Sequence, residues 1–171
     1  MIERIKQFFR ACTAKVTDTD ILYVKKHLSE KARTLFFNMS VADQYHALHV
    51  AYTAAEIVKS NNTPCNIELL CRVSLLHDIG RVKGSMNVFE KSIAVLFFAF
   101  FPVTAKKMSL TTTGWLTGIL HTYVFHPKIG AAMLESIDMH QEASIICRHH
   151  ESKTPKDSTE LNILRIADSK N

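Results

Sequence analysis

The sequence predicts an all-α protein, a multi-helix bundle without a sheet, and three observations point there. Glycine and proline number only 5 and 4 in 171 residues, too few for a turn-rich β architecture. Alanine, leucine, isoleucine and lysine dominate, a composition that favours long helices. Apolar positions recur three and four residues apart along most of the chain instead of alternating. With 47% hydrophobic residues the chain can bury one core of ordinary size, and nothing in it requires a second domain.

Residues 2–15 place Ile2, Ile5, Phe8, Phe9 and Cys12 at helical spacing and predict a first amphipathic helix. Thr17-Asp18-Thr19-Asp20 breaks that helix and offers an N-cap to a second stretch, which runs through Ile21, Val24 and Leu28 toward Phe37. Asn38-Met39-Ser40 caps a third, Val41 to Lys59, with His46 on its first turns. Ser60 to Pro64 is the clearest loop. Asn66 to Asp78 is rich in Leu, Ile and Val and ends in the His77-Asp78 pair, which a polar loop from Arg81 to Asn87 follows.

Val88 to Phe101 crowds five phenylalanines (Phe89, Phe97, Phe98, Phe100, Phe101) into one element. A helix apolar on nearly every side has to be buried or meet a partner, which makes a homodimer interface one expectation. Trp115 to Phe125 forms the next helix, and Pro127 suits the first turn of a restarted one reaching Ile137. Gln141 to His149 and Glu160 to Ala167 complete the set, separated by the polar loop Glu151 to Ser158.

Several functional classes fit poorly. The four cysteines (Cys12, Cys65, Cys71, Cys147) lack CxxC spacing, so neither a thiolate zinc site nor a disulfide framework is expected, and a reducing cytoplasm suits them. The amino terminus mixes charge with apolar residues and offers no continuous signal-peptide core. The longest apolar stretch, Ile93 to Val103, is about half the roughly 20 residues that span a bilayer. The net charge of +5 comes without a long Lys/Arg block, which fits a phosphate-binding pocket as well as a stable nucleic-acid partner and ranks the latter last.

The chemistry concentrates in histidines and aspartates. Neutral imidazoles and carboxylates hold divalent cations of hydrolytic sites because they leave the ion strongly Lewis-acidic, with room for water. His46, His77, Asp78 and Asp168 each fall within or at the end of a predicted helix and could supply one such set. Neighbouring helical residues diverge by about 100°, so His77 and Asp78 share a centre only across a helix end, which Gly80 permits. His126, His149 and His150 could hold a second ion, with Asp78 bridging. Two ions about 3.5 to 4 Å apart clamp a phosphoryl group for in-line displacement.

The order of these stations resembles the HD-domain superfamily of metal-dependent phosphohydrolases, over roughly Asp43 to Asn171. Tyr45-His46-Ala47-Leu48-His49-Val50-Ala51 looks like the family's first-histidine helix, and Leu75-Leu76-His77-Asp78-Ile79-Gly80-Arg81 is close to its defining motif. His126-Pro127-Lys128-Ile129-Gly130-Ala131-Ala132-Met133-Leu134 resembles the third-histidine helix of the HDIG-type branch, and Leu164-Arg165-Ile166-Ala167-Asp168 matches the last ligand. The resemblance implies a single all-helical HD domain over 1–171, with N-terminal helices in 1–40 and the motif-bearing core in 41–171. It implies a first metal on His46, His77, Asp78 and Asp168, and in two-metal members a second on His126, His149 and His150.

Two departures refine it. Glu151 is followed by Ser152-Lys153-Thr154-Pro155 instead of the Gly-Tyr-Pro of cyclic-dinucleotide phosphodiesterases, so cyclic-di-GMP hydrolysis is not supported. Arg81 stands where relatives often carry Lys. An arginine binds phosphate bidentately, so Arg81 is expected to bind substrate and stabilise charge, with Lys83 as helper and Asp78 or a nearby histidine assisting proton transfer.

The expected function is hydrolysis of a phosphomonoester, phosphoanhydride or phosphodiester of a nucleotide-like small molecule. The expected cofactor is one or two divalent ions, iron or manganese first, with magnesium, zinc and nickel as further candidates. The alternative is a non-catalytic regulatory module that binds a nucleotide, a metal or a partner. His27, His49, His121 and His140 have no station in the family order and are expected to be structural or surface histidines, and Cys147 core filler.

Overall fold

The computed structural model describes residues 13–82 and 88–171. Among these the chain folds into nine helices: α1 Asp18–His27, α2 Glu30–Phe37, α3 Val41–Asn61, α4 Ile67–Leu76, α5 Val88–Phe100, α6 Pro102–Met108, α7 Trp115–Glu135, α8 His140–Ile146 and α9 Thr159–Lys170. The only extended pairing among the described residues is an isolated antiparallel bridge between Met39 and Val82. The expectation of an all-α bundle holds. The first predicted helix, residues 2–15, falls almost wholly outside the described residues.

Side-chain caps mark most helix starts. Thr17 and Asp20 form a reciprocal capping box at α1, and Ser29, Ser40, Asn66 and Ser158 each accept a backbone N–H from the first turn of the helix that follows. Ser29 also explains a difference from the sequence reading. The single stretch expected from Ile21 to Phe37 is two helices, because Leu28 turns extended and Ser29 restarts the ladder. Helix α3 runs past the expected loop start to Asn61, and Asn62 ends it in the left-handed conformation, with φ 47°.

Two apolar clusters organise the helices. The larger gathers residues from α1 to α4, the second half of α7, α8 and α9, with Phe36, Leu48, Leu75, Leu76, Leu134, Ile146 and Leu164 fully buried. Each such side chain contributes about 1.5–3 kcal/mol of burial. The smaller cluster joins Ala94 of α5, Ala105 of α6, and Ile119 and Leu120 of α7, backed by Phe97, Phe98 and Tyr123. Helix α7 therefore spans both, and His126 lies between its two buried halves. The phenylalanine-rich segment divides accordingly. Phe97 and Phe98 pack inward, whereas Phe89, Phe100 and Phe101 stand exposed. Among the described residues no helix is long and apolar enough to cross a membrane.

The sequence predicts a break before Pro127, but α7 continues through it. A proline inside a helix removes the N–H that would bond the carbonyl four residues earlier, here that of Tyr123. That oxygen accepts instead from His126 Nδ1–H at 3.0 Å. The lost backbone bond is thereby replaced by one from a site histidine.

Candidate metal centre

Five elements deliver the site. His46 sits on the second turn of α3, His77 and Asp78 in the turn that ends α4, His126 within α7, His149 and His150 in the turn after α8, and Asp168 near the end of α9. The imidazoles form a continuous arc. Ring centroids lie 5.3 Å apart for His46 and His77, 5.3 Å for His77 and His149, 5.5 Å for His126 and His149, and 3.9 Å for His149 and His150.

Three triads with donor atoms within 4.8 Å of one another overlap along this arc: His46, His77 and Asp168; His77, Asp78 and His149; His126, His149 and His150. His77 Nε2 lies 3.5 Å from Asp78 Oδ2 and 3.7 Å from Asp168 Oδ1, and His126 Nε2 lies 3.2 Å from Asp78 Oδ1. All seven histidines and aspartates singled out as ligands thus converge. His27, His49, His121 and His140 stay apart: His27 bonds Glu68, His121 bonds the Ser109 carbonyl, His140 pairs with Glu135, and the His49 ring packs on Tyr45 and Tyr52. Cys147 packs against the larger core, and Glu151 pairs with Arg148 at the surface.

The three innermost histidines are oriented in the same way. His77 Nδ1–H donates to Ser74 O at 2.9 Å, His126 Nδ1–H to Tyr123 O at 3.0 Å, and His149 Nδ1–H to Ile146 O at 2.6 Å. Each acceptor is a carbonyl three residues back, at a helix C-terminus for His77 and His149 and opposite the proline gap for His126. These bonds set the tautomer and aim Nε2 at the centre.

The donor set fits a divalent cation on two counts. His77 Nε2, His149 Nε2 and Asp78 Oδ1 are buried without any hydrogen-bond partner, although burying polar atoms unsatisfied costs about 1–3 kcal/mol each. Their chemistry, neutral imidazole plus carboxylate, also suits transition metals.

Burial opposes ionisation of Asp78, but the charges of Arg81 and His77, with His126 close by, outweigh it and hold its carboxyl well below the usual range. Burial likewise opposes Asp168, and His46 and His77 outweigh it, so it too is strongly ionised. Burial lowers His77, yet Asp78 and Asp168 reverse this and raise it to about 9. His126 is pushed down to about 4 by burial and then by Arg81, and His149 falls well below its normal value for the first reason with His77 adding to it.

Arg81 is buried at the heart of the site. One guanidinium nitrogen bonds Asp78 Oδ2, the other sits 3.1 Å from His126 Nε2, and Asp43 Oδ1 lies 3.9 Å away. Lys83 lies outside the described residues. Gly80 lets this turn reach α7: a Cβ there would stand 2.1 Å from His126 O and 2.9 Å from Gly130 N.

Three contributors escaped the sequence reading. Asp43, capped by Ser40 Oγ at 2.6 Å, faces Arg81 from α3. Lys91 brings a further cation from α5, within electrostatic reach of Arg81, Asp78, Asp43 and Asp168. Its one available signal is that it is the only basic residue of a mostly apolar helix. Arg165 ties the fourth station down, donating to the carbonyls of Arg148 and His149 at 2.8 and 3.2 Å while pairing with Asp157 at 2.6 Å.

A family model described as HD domain matches residues 44–170, most of the chain, and the protein belongs to the HD domain family. That family consists generally of metal-dependent hydrolases, and the His/Asp cluster is compatible with metal binding. No curated protein and no solved structure matches the chain.

Proposed function

We propose that this HD domain is a metal-dependent phosphohydrolase acting on a phosphomonoester, phosphoanhydride or phosphodiester of a nucleotide-like small molecule. The observation that carries the reading is the set of buried polar atoms without a hydrogen-bond partner, His77 Nε2, His149 Nε2 and Asp78 Oδ1, grouped at one centre. A soluble fold has little reason to retain three of them together unless a cation satisfies them.

In this reading His46, His77, Asp78 and Asp168 would hold one ion and His126, His149 and His150, with Asp78, a second, and the ligand mix would suit iron or manganese. The ion supplies Lewis acidity toward a phosphoryl oxygen and activates water. The remaining chemistry belongs to the chain. Arg81, already charged and aimed inward, binds phosphoryl oxygens and offsets the charge that develops on them. Asp43 orients its guanidinium from the far side. His150, exposed at the rim with its ring against His149, completes the second set on its solvent side.

One observation favours a second reading. Arg81 contacts both Asp78 and His126, so two donor atoms already face a resident cation, as a domain that binds phosphate without turnover would have it. Metal analysis of the purified protein, then a phosphatase and phosphodiesterase panel with Mn²⁺, separates the two. Metal-dependent turnover that Asp78→Asn abolishes in a folded protein supports the enzyme. A metal-free, inert protein overturns it.

A further inference from the structure

Helix α5 carries more apolar surface than the fold covers. Among its described residues only Ala94 is fully buried, packed with Ala105, Ile119 and Leu120 in the smaller cluster. Ile93, Leu96 and Phe100, at i, i+3 and i+7, form a stripe on another face that stays exposed. The stripe runs into the corner between α5 and α6, where Phe100, Phe101, Pro102 and Val103 are exposed in succession, Phe100 to 73% and Val103 to 83%. Four consecutive exposed apolar residues are a liability that a fold keeps only when something covers them.

The charges beside this corner indicate what covers it. Val103, Lys106 and Lys107, at i, i+3 and i+4, share the outer side of α6, opposite the buried Ala105, and the exposed Leu110 follows at i+7. From Glu90 to Glu135 the intervening chain contains Lys91, Lys106, Lys107 and Lys128 but no aspartate or glutamate. Glu90 itself accepts from Trp115 Nε1–H at 2.9 Å. A second copy of this layer would therefore offer these lysines no carboxylate. An acidic lipid surface complements both halves, with acyl chains for the phenylalanines and headgroup phosphates for the ammonium groups, which lysine reaches on its long stem. Among the described residues no helix is long and apolar enough to cross a membrane, so this contact is with a surface.

We propose that the corner between α5 and α6 docks on an anionic lipid surface, with Phe100, Phe101 and Val103 entering the acyl boundary and Lys106 and Lys107 held at the headgroups.

The test is cosedimentation of the intact chain with vesicles of phosphatidylcholine alone and of phosphatidylcholine containing about one third phosphatidylglycerol, at about 0.1 M salt. Wild type is expected to bind the anionic vesicles about tenfold or more tightly than the neutral ones. Lys106→Gln/Lys107→Gln is expected to lose most of that preference, and Phe100→Ser/Phe101→Ser to lose binding to the anionic vesicles, each with a wild-type urea midpoint. The lysine pair is exposed, so its variant keeps the test open should the phenylalanine variant misfold. Wild-type protein left in the supernatant with anionic vesicles overturns the proposal, as does a folded lysine variant that binds them as tightly as wild type. A solution dimer that Phe100→Ser/Phe101→Ser dissociates, in a protein that binds no vesicle, also overturns it and gives the corner to a second copy.

Discussion

Replacing Gly80 by alanine tests whether the site depends on the close approach of two backbones. The added Cβ would stand 2.1 Å from His126 O, 2.8 Å from its carbonyl carbon and 2.9 Å from Gly130 N, whereas ordinary contact begins near 3.4 Å. The difference between 3.4 and 2.1 Å, about 1.3 Å, has to come from backbone, because no flexible side-chain end is among the three nearest atoms. Overpacking of this kind costs about 1–3 kcal/mol, which for a chain of this size lowers Tm by about 2–4 °C per kcal/mol. Helix α7 carries His126, whose Nε2 is 3.2 Å from Asp78 Oδ1, so that distance changes by a similar amount. Metal sites hold ligands to about 0.2 Å, and loss of support of this order weakens binding about 10- to 100-fold. Urea denaturation of the metal-free protein and Mn²⁺ titration of the folded protein read the two effects separately. A Gly80→Ala protein with wild-type midpoint and wild-type Mn²⁺ affinity would refute the link between this contact and the site.

Asp78→Ala strands the buried Arg81 guanidinium and is expected to destabilise the metal-free protein by about 3 kcal/mol or more, whereas Asp78→Asn, which keeps an acceptor, costs less; equal unfolding midpoints for the two variants would contradict this. Stability of the metal-free protein should peak near neutral pH. His77, raised to about 9, stabilises fully below the unfolded value near 6.5 and loses that contribution as pH climbs through 9. His126, lowered to about 4, and His149 stabilise above 6.5 and lose it as pH falls, followed by Asp78 and Asp168 at still lower pH. A urea midpoint flat from pH 4 to 9 would exclude this balance. Mn²⁺ affinity should also rise between pH 6 and 9, because the cation displaces the proton on His77; an affinity independent of pH would remove His77 from the ligand set. Arg165→Met releases the carbonyls of Arg148 and His149 and should weaken Mn²⁺ binding about tenfold, with the far-UV spectrum intact; unchanged affinity would show that the turn holds its shape without the strap.

Much of this architecture was legible in the chain because helices announce themselves locally. Thr17, Ser40 and Ser158 cap where short polar side chains precede apolar periodicity, and the stations His46, His77-Asp78, His126, His149-His150 and Asp168 are legible as lying on helices or at their ends. The misses have a common cause, namely that a remote contact decided the outcome. Pro127 looked like a helix start because the local rule knows only the lost N–H, whereas a histidine one residue away supplies the replacement. Ser29 was passed over because apolar spacing runs through it. Lys91 and Asp43 carry no motif, and their meaning arises only where α5 and α3 bring them to Arg81. Whether the phenylalanines on α5 face protein or solvent was undetermined, since a helix apolar all round gives no direction.

The hydrogen bonds from Nδ1 of His77, His126 and His149 to carbonyls three residues back have an effect on assembly. Each ring is locked by its own stretch of backbone, so its coordinating edge is defined before the helices meet. Docking the helices then only sets spacing, and capturing an ion freezes few additional rotors. Such a cage should admit and release different ions quickly, discriminating among them by fit more than by the work of organising its walls.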